Sequence, residues 1–246
     1  MACTSTFGKY THAIVRAIPS SFGGGPEATV DGQKEGPDDI DLAKAHRQYG
    51  VYTGILRQKL GLQLIEIPVD EAFPESVFVE DIVVVQGDTA LLTRPWAPNR
   101  RKETAALKKI LEELKLRVVE MTDENATLDG SDVLFTGREF FVGISKRTNH
   151  RGAEIVADTF KTMGQLTDYH YDTLTVQNDA AANCLFVRVG QKNHLVHCTA
   201  EEYPDSVQVF QKLSDHTLLQ AAFTEVAKKG GALTTCSLLI NKKLDL

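Results

Sequence analysis

Glu80 and Asp81 stand side by side in SVFVEDIVVV, a run otherwise built mainly from Val, Ile and Phe. Neighbours on a regular strand face opposite sides, so one of the two carboxylates is expected to point inward. A charge placed there is costly unless a cation meets it. The guanidinium of an arginine-like ligand would do so; a structural arginine would do so equally well, and is the more ordinary arrangement. Two further sites carry candidate cations. Arg100 and Arg101 follow Pro98-Asn99 at the expected start of a helix, with Asn99 as its N-cap. Arginine is unfavourable near the positive end of a helix dipole, which suggests a ligand carboxylate or a protein acid nearby. Arg147, in GISKRTNHRG, occupies the equivalent place before the next helix. For both, a solvated helix start is the plain alternative.

Asp129 and Asp132 lie in TLDGSDVLF. Asp-Gly and Ser-Asp are turn formers, and the segment offers too few closely spaced oxygens for a calcium loop. Cys236, in LTTCSLLI, reads as a lone cysteine in an apolar strand, where packing is its usual role. It becomes a nucleophile only with a depressed pKa and a base nearby. The seven histidines (His12, His46, His150, His170, His194, His197 and His216) fall in no recognisable Cys-His arrangement.

The elements that must position these residues form a weak repeat. Four stretches carry apolar residues at helical spacing, starting near Asp41, Arg100, Arg151 and Pro204, about 50 residues apart. Hairpin-like runs precede three of them, turning at Gly87-Asp88, Gly137-Arg138 and around Gly190. LQLIEIP and LRVVEM follow the first two helices as strands. The unit therefore reads strand, strand, helix, strand. The N-terminal THAIVRAI and C-terminal LTTCSLLINKK are expected to pair, completing the first unit through the chain ends. An α/β ring of such units is favoured over an open parallel sheet, because paired strands before each helix suit antiparallel hairpins. Residues 20–39, rich in Gly, Pro and acid, read as a surface loop.

The chain has 246 residues, 42% hydrophobic and 24% charged, and is expected to form a single domain over 1–246. A net charge of -6 gives no basic field for nucleic acid or acidic lipid. No apolar run approaches the ~18 residues needed to span a bilayer. The N-terminal stretch does not read as a secretory signal, and Cys3, Cys184, Cys198 and Cys236 are too scattered for a disulfide scaffold or zinc knuckle. A cytoplasmic monomer with no metal site is the expectation.

Several strings are more specific: FVEDIVVV, LLTRPWAPNRRKE, MTDENATLDGSDVLFTGREFFVGISKRTN, NCLFV, EEYPDSVQVFQKL and LTTCSLLINKK. Together they closely resemble the dimethylarginine dimethylaminohydrolase family, particularly its first vertebrate-type isoform, from about Thr11 to the C-terminus apart from the 20–39 loop. The resemblance implies a pentein-type α/β propeller of five ββαβ modules. It implies hydrolysis of asymmetric dimethylarginine and monomethylarginine to citrulline and methylamines, relieving nitric oxide synthase inhibition. A thiolate would attack the guanidinium carbon with a histidine as general acid and base. No cofactor is implied; zinc on the thiolate is a family inhibitor. Matched by motif, Glu80 and Asp81 are the acids near the guanidinium, and Glu75 in PES stands where the family usually has Asp. Arg100 and Arg147 bind substrate, and Asp129 orients the catalytic histidine.

Two departures bear on activity. After the third helix the chain runs from ADTFK directly into TMGQLTDYHYDTLTV, skipping close to one module and the family's catalytic histidine, so that four of five modules are expected. In LTTCS the family register places Thr235 at the nucleophile position, leaving neighbouring Cys236 as the candidate stand-in. A methylarginine hydrolase in which Cys236 or another residue stands in, a methylarginine-binding protein without catalysis and an unstable deletion form are the three readings; by its chemistry the chain is expected to be impaired or inactive.

Overall fold

The computed structural model describes residues 7–24, 40–160 and 174–242. In chain order the strands and helices begin with β1 (His12–Arg16), α1 (Leu42–Gly54), β2 (Gln63–Ile67), β3 (Val83–Gln86), β4 (Thr89–Leu92) and α2 (Thr104–Glu113). They continue with β5 (Arg117–Glu120), β6 (Val133–Phe135), β7 (Phe140–Val142), α3 (His150–Thr159), β8 (Leu185–Val189) and β9 (Lys192–His197). The last are α4 (Pro204–Phe210), β10 (His216–Gln220), a single helical turn α5 (Thr224–Ala227) and β11 (Leu238–Ile240).

Three small mixed sheets, ordered β11-β1-β2, β3-β4-β5 and β8-β9-β10, and the antiparallel pair β6-β7 result. In each three-stranded sheet the central strand pairs antiparallel with one neighbour and parallel with the strand beyond its helix. Parallel pairing needs a crossover, and α1, α2 and α4 supply it. The strand-strand-helix-strand unit read from the sequence is thus present. His12 faces Ile240 across β1 and β11, so the chain ends pair as expected. The third unit has its hairpin and α3; whatever follows Phe160 up to residue 173, including the expected continuation through Met163 and Leu166, lies outside the described residues, as do residues 25–39 of the 20–39 segment.

The central strands explain the core. β4 (TALL) is buried at every position, and β1 at all but its first. Tyr52 and Leu56 of α1 share one apolar cluster with Val187, Val196 and Phe223, which joins the first and fourth units. Ile14 and Ile67 join Val83, Leu107 and Leu111, tying the first unit to the second. Leu91, Met121, Leu128 and Val156 tie the second to the third. Between the third and fourth units, Phe7 stacks on Phe186 and meets Phe135 edge-on.

Three local expectations change. Asn99 caps no helix: Pro98–Glu103 is a 3-10 turn and α2 starts after it. Pro98 fixes the turn's φ, and this tighter winding delays the α-helix to Thr104. Glu80 and Asp81 lie in a 3-10 turn, Val79–Ile82, that precedes β3. Cys236 belongs to a turn just before β11, where the polar run TTCS breaks the apolar pattern.

Candidate functional site

The turn at Val79–Ile82 is anchored by its apolar ends. Val79 and Ile82 are both buried, and between them the backbone turns Glu80 and Asp81 inward instead of splitting them across a strand. Asp81 is 2% exposed. The Gly130–Asp132 turn packs directly on it: a Cβ at Gly130 would collide with the carbonyl oxygens of Glu80 and Val83. Glycine is therefore required for this approach, which brings Asp129 beside Asp81.

Arg100 meets Asp81. Its Nη1 donates to Asp81 Oδ2, Nε and Nη2 donate to the two oxygens of Glu103 at 3.1 and 3.0 Å, and Nη2 also donates to the carbonyls of Glu75 and Phe78. At 4% exposure, all three of its guanidinium nitrogens donate to protein groups. Burial opposes its charge, but the bonds to Glu103 and Asp81 outweigh this, and the guanidinium is held more firmly protonated than usual. Glu75 reaches this centre through its carbonyl.

Asp129 is also buried, and Arg147 Nη1 lies 3.7 Å from its Oδ2 while remaining 53% exposed on its side chain. Burial first, and then the charge of Asp81, push the Asp129 carboxyl up to about 6, against Arg100 and Arg147. The loop carrying Arg147 is pinned by Asp132, whose Oδ2 accepts from Ser145 Oγ at 2.8 Å and Thr148 Oγ1 at 2.6 Å.

Glu80 faces the C-terminal turn. Its backbone N–H donates to the Thr235 carbonyl, and its Oε2 accepts from Thr234 Oγ1 at 2.8 Å. Burial pushes the Glu80 carboxyl up to about 8, with the Thr234 bond opposing and Asp81 adding to the rise. Asn183 completes the arrangement: its Nδ2 donates to Thr234 Oγ1 at 3.0 Å, and its Oδ1 accepts from the Thr234 backbone N–H at 3.1 Å.

Thr235 and Cys236 are placed differently from Thr234. The Thr235 hydroxyl donates to the Ala232 carbonyl and accepts from the Ala232 N–H, closing its own turn. Cys236 is 0% exposed, in the apolar cluster with Tyr49, Tyr52 and Leu56. Burial, with the charges of Asp81 and Glu80 adding, drives its thiol pKa far up, so it stays protonated at neutral pH. Among the described residues, the hydrogen bonds of His12, His194, His197 and His216 go to Thr11, Lys192, Cys198 and Asp215, away from this centre. His170 lies outside the described residues. No group of three His, Cys, Asp or Glu side chains among the described residues is placed to hold a metal ion. A protonated, enclosed thiol is likewise a poor fit for an inhibitory zinc ion. No described helix is long and apolar enough to cross a membrane.

The structure thus brings together Glu80, Asp81, Arg100, Asp129 and Arg147, with the Glu75 carbonyl at the edge and Cys236 behind the acids in the core. Four contributors are not assigned to the site by the sequence. Glu103 had an available signal, its i, i+3 spacing from Arg100. Asp132, read only as a turn former, had one in its Ser/Thr-rich neighbour loop. Thr234 and Asn183 had none, because they meet across 51 residues.

Comparison with known proteins places the chain in a family and a fold. The model of the eukaryotic N,N dimethylarginine dimethylhydrolase family matches residues 27–236. A DDAH2 protein of Bos taurus is 44% identical, covering 96% of each chain, and its Homo sapiens counterpart is 43% identical with the same coverage. The bovine alignment is 279 positions long, which leaves about forty to which this 246-residue chain contributes no residue. Among solved structures, a mutant of the Pseudomonas aeruginosa dimethylarginine dimethylaminohydrolase bound to citrulline superposes with a TM-score of 0.75 at 22% identity, covering 94% of this chain and all of that one. The N-terminal domain of ArgZ, a cyanobacterial arginine dihydrolase, gives 0.65 at 15% identity, covering 95% and 98%. The mixed α/β fold is therefore that of these enzymes, and the chain belongs to the eukaryotic dimethylarginine dimethylhydrolase family.

Proposed function

We propose that this chain recognises methylated arginine at the acids Glu80, Asp81 and Asp129, with Arg147 gripping the amino-acid carboxylate, and that its hydrolysis to citrulline and methylamines is strongly impaired. One observation carries the reading. Asp81 Oδ1 and Asp129 Oδ1 are buried with no hydrogen-bond partner among the described residues, although the two residues are close enough for one charge to raise the other's pKa. Unpartnered buried carboxylate oxygens are expensive, and a cation with several N–H donors is the ligand that would satisfy them. A guanidinium has that shape and charge.

Impairment follows from the same geometry. Attack on a guanidinium carbon needs a thiolate and a proton donor for the departing amine. The Cys236 thiol is enclosed and protonated, and the Thr235 hydroxyl is engaged with Ala232. The general acid–base contribution alone is typically on the order of 10²–10⁴ in rate. The roughly forty positions of the bovine alignment without a residue of this chain are of the size of the lost module, which the sequence motifs put at the join after Lys161. In a full-length relative the reaction would relieve nitric oxide synthase inhibition; here binding without turnover is the expected behaviour.

Calorimetry with asymmetric dimethylarginine at pH 8.5, beside a citrulline-release assay, tests this. Binding with negligible citrulline supports it. A cooperatively folded chain that binds neither asymmetric dimethylarginine nor monomethylarginine would overturn recognition, and robust turnover would overturn impairment.

A further inference from the structure

We propose that Asn183 is a positioning residue which, through Thr234, fixes one oxygen of Glu80 as a hydrogen-bond acceptor and presents the other to a cationic ligand. The inference rests on the methylarginine reading of the site and adds two residues that never touch the ligand's guanidinium.

The direction of the hydrogen bonds decides the case. The Thr234 backbone N–H can only donate, so the Asn183 atom it meets must be the amide oxygen. The other end of the same side chain is then an amine, which can only donate, and it points at Thr234 Oγ1. With its oxygen receiving that donation, the threonine hydroxyl directs its own hydrogen to Glu80 Oε2. The backbone N–H fixes the Asn183 end, and once Glu80 is ionised its oxygens can only accept, so the Thr234 hydrogen runs to Oε2. Glu80 Oε2 is therefore held as an acceptor, and Oε1 has no hydrogen-bond partner among the described residues. Asn183 precedes β8 in the fourth unit, Thr234 lies in the C-terminal turn and Glu80 belongs to the second unit, so the chain also locks three parts of the fold onto one carboxylate.

The groups facing Glu80 leave Thr234 with little competition. Asp81, on the same turn, is already committed to Arg100. Tyr10 before β1, Tyr52 of α1 and Cys236 of the C-terminal turn all have pKa values raised by burial and stay neutral below pH 9. The Thr234 hydroxyl is the donor that favours the carboxylate against its burial. A cationic ligand needs that carboxylate.

The test is asymmetric dimethylarginine affinity against pH, by calorimetry on the full chain, for Thr234→Val, Asn183→Asp and Thr234→Ser. Valine removes the donor. Aspartate keeps an acceptor for the Thr234 N–H but draws the hydroxyl hydrogen to itself, away from Glu80. Both should move the rise in affinity about one pH unit higher, weakening binding by about fivefold at pH 8 and about tenfold at pH 7, while serine restores the parent profile. Folded Thr234→Val and Asn183→Asp proteins with the parent's profile would overturn the inference. If the parent itself binds no methylarginine, the reading of the site fails separately. The pH dependence of unfolding then reads Glu80 directly: steepening at higher pH in both variants, abolished by adding Glu80→Gln, supports the clamp, and an unchanged dependence overturns it.

Discussion

Asp81 and Arg100 form a buried ion pair, 2% and 4% exposed, in which the arginine also ties down Glu103 and two loop carbonyls. The resemblance to the hydrolase family casts Arg100 as a substrate arginine, but all three of its guanidinium nitrogens bond to buried protein groups. Its main contribution is then to hold Asp81 in place. Arg100→Ala should cost about 3–5 kcal/mol, because it strands two carboxylates in the interior. Urea unfolding measures this; a variant as stable as the parent would show that Arg100 is not a structural partner of Asp81.

Arg147 makes the opposite case. It is half exposed and 3.7 Å from Asp129, a geometry worth under about 1 kcal/mol of stability. Arg147→Ala should melt close to the parent temperature. It should nevertheless weaken asymmetric dimethylarginine binding about tenfold or more, since a charge-assisted bond to the ligand carboxylate is lost. The decarboxylated amine analogue should lose little affinity in the same variant.

These two arginines show what the sequence could and could not disclose. Hairpins and crossover helices were legible because their signals are local: Gly87 at φ 62° turns β3 into β4, and Asp41 caps α1 by accepting from the Lys44 N–H. The acids were legible because charges interrupt an apolar run. The partition of roles was not. Nothing near Arg100 in the sequence says that Asp81, nineteen residues earlier, claims its Nη1. Likewise the apolar neighbours of Cys236 suggested a strand, and only tertiary packing reveals a turn with the sulfur enclosed by α1.

The two acids with raised pKa values give stability a pH dependence of definite sign. Glu80 has a folded pKa of about 8, above its ordinary value of 4.5, and Asp129 is raised from 3.8 to about 6. A raised acid binds its proton more tightly in the native state, so its contribution is fully present below the unfolded pKa and is lost as pH rises through the folded one. The chain should therefore lose stability between about pH 4 and 8, by roughly a few kcal/mol in all. Glu80→Gln should flatten the upper part of this slope, above about pH 6, and leave the lower part to Asp129. Thermal melts at half-unit pH steps measure both, and saturating asymmetric dimethylarginine should offset the loss at high pH because it binds the ionised acids.

Cys236 supplies the sharpest test of impairment. A nucleophilic thiol is accessible and largely ionised near neutral pH, whereas this one is fully enclosed and its pKa is driven upward. Iodoacetamide at pH 7.5 should modify partly exposed Cys184 well before Cys236 in the folded chain, as peptide mass spectrometry would read. Cys236→Ala should leave citrulline release at the parent's low level while lowering stability by about 1 kcal/mol through the small cavity it opens. Thr235→Cys puts a thiol in the family's nucleophile register, yet turnover should stay low, since His12, His194, His197 and His216 are bonded elsewhere and the family's histidine string is absent from the sequence. Fast alkylation of Cys236, or activity lost on its removal, would establish that the turn opens to make this thiol the working nucleophile.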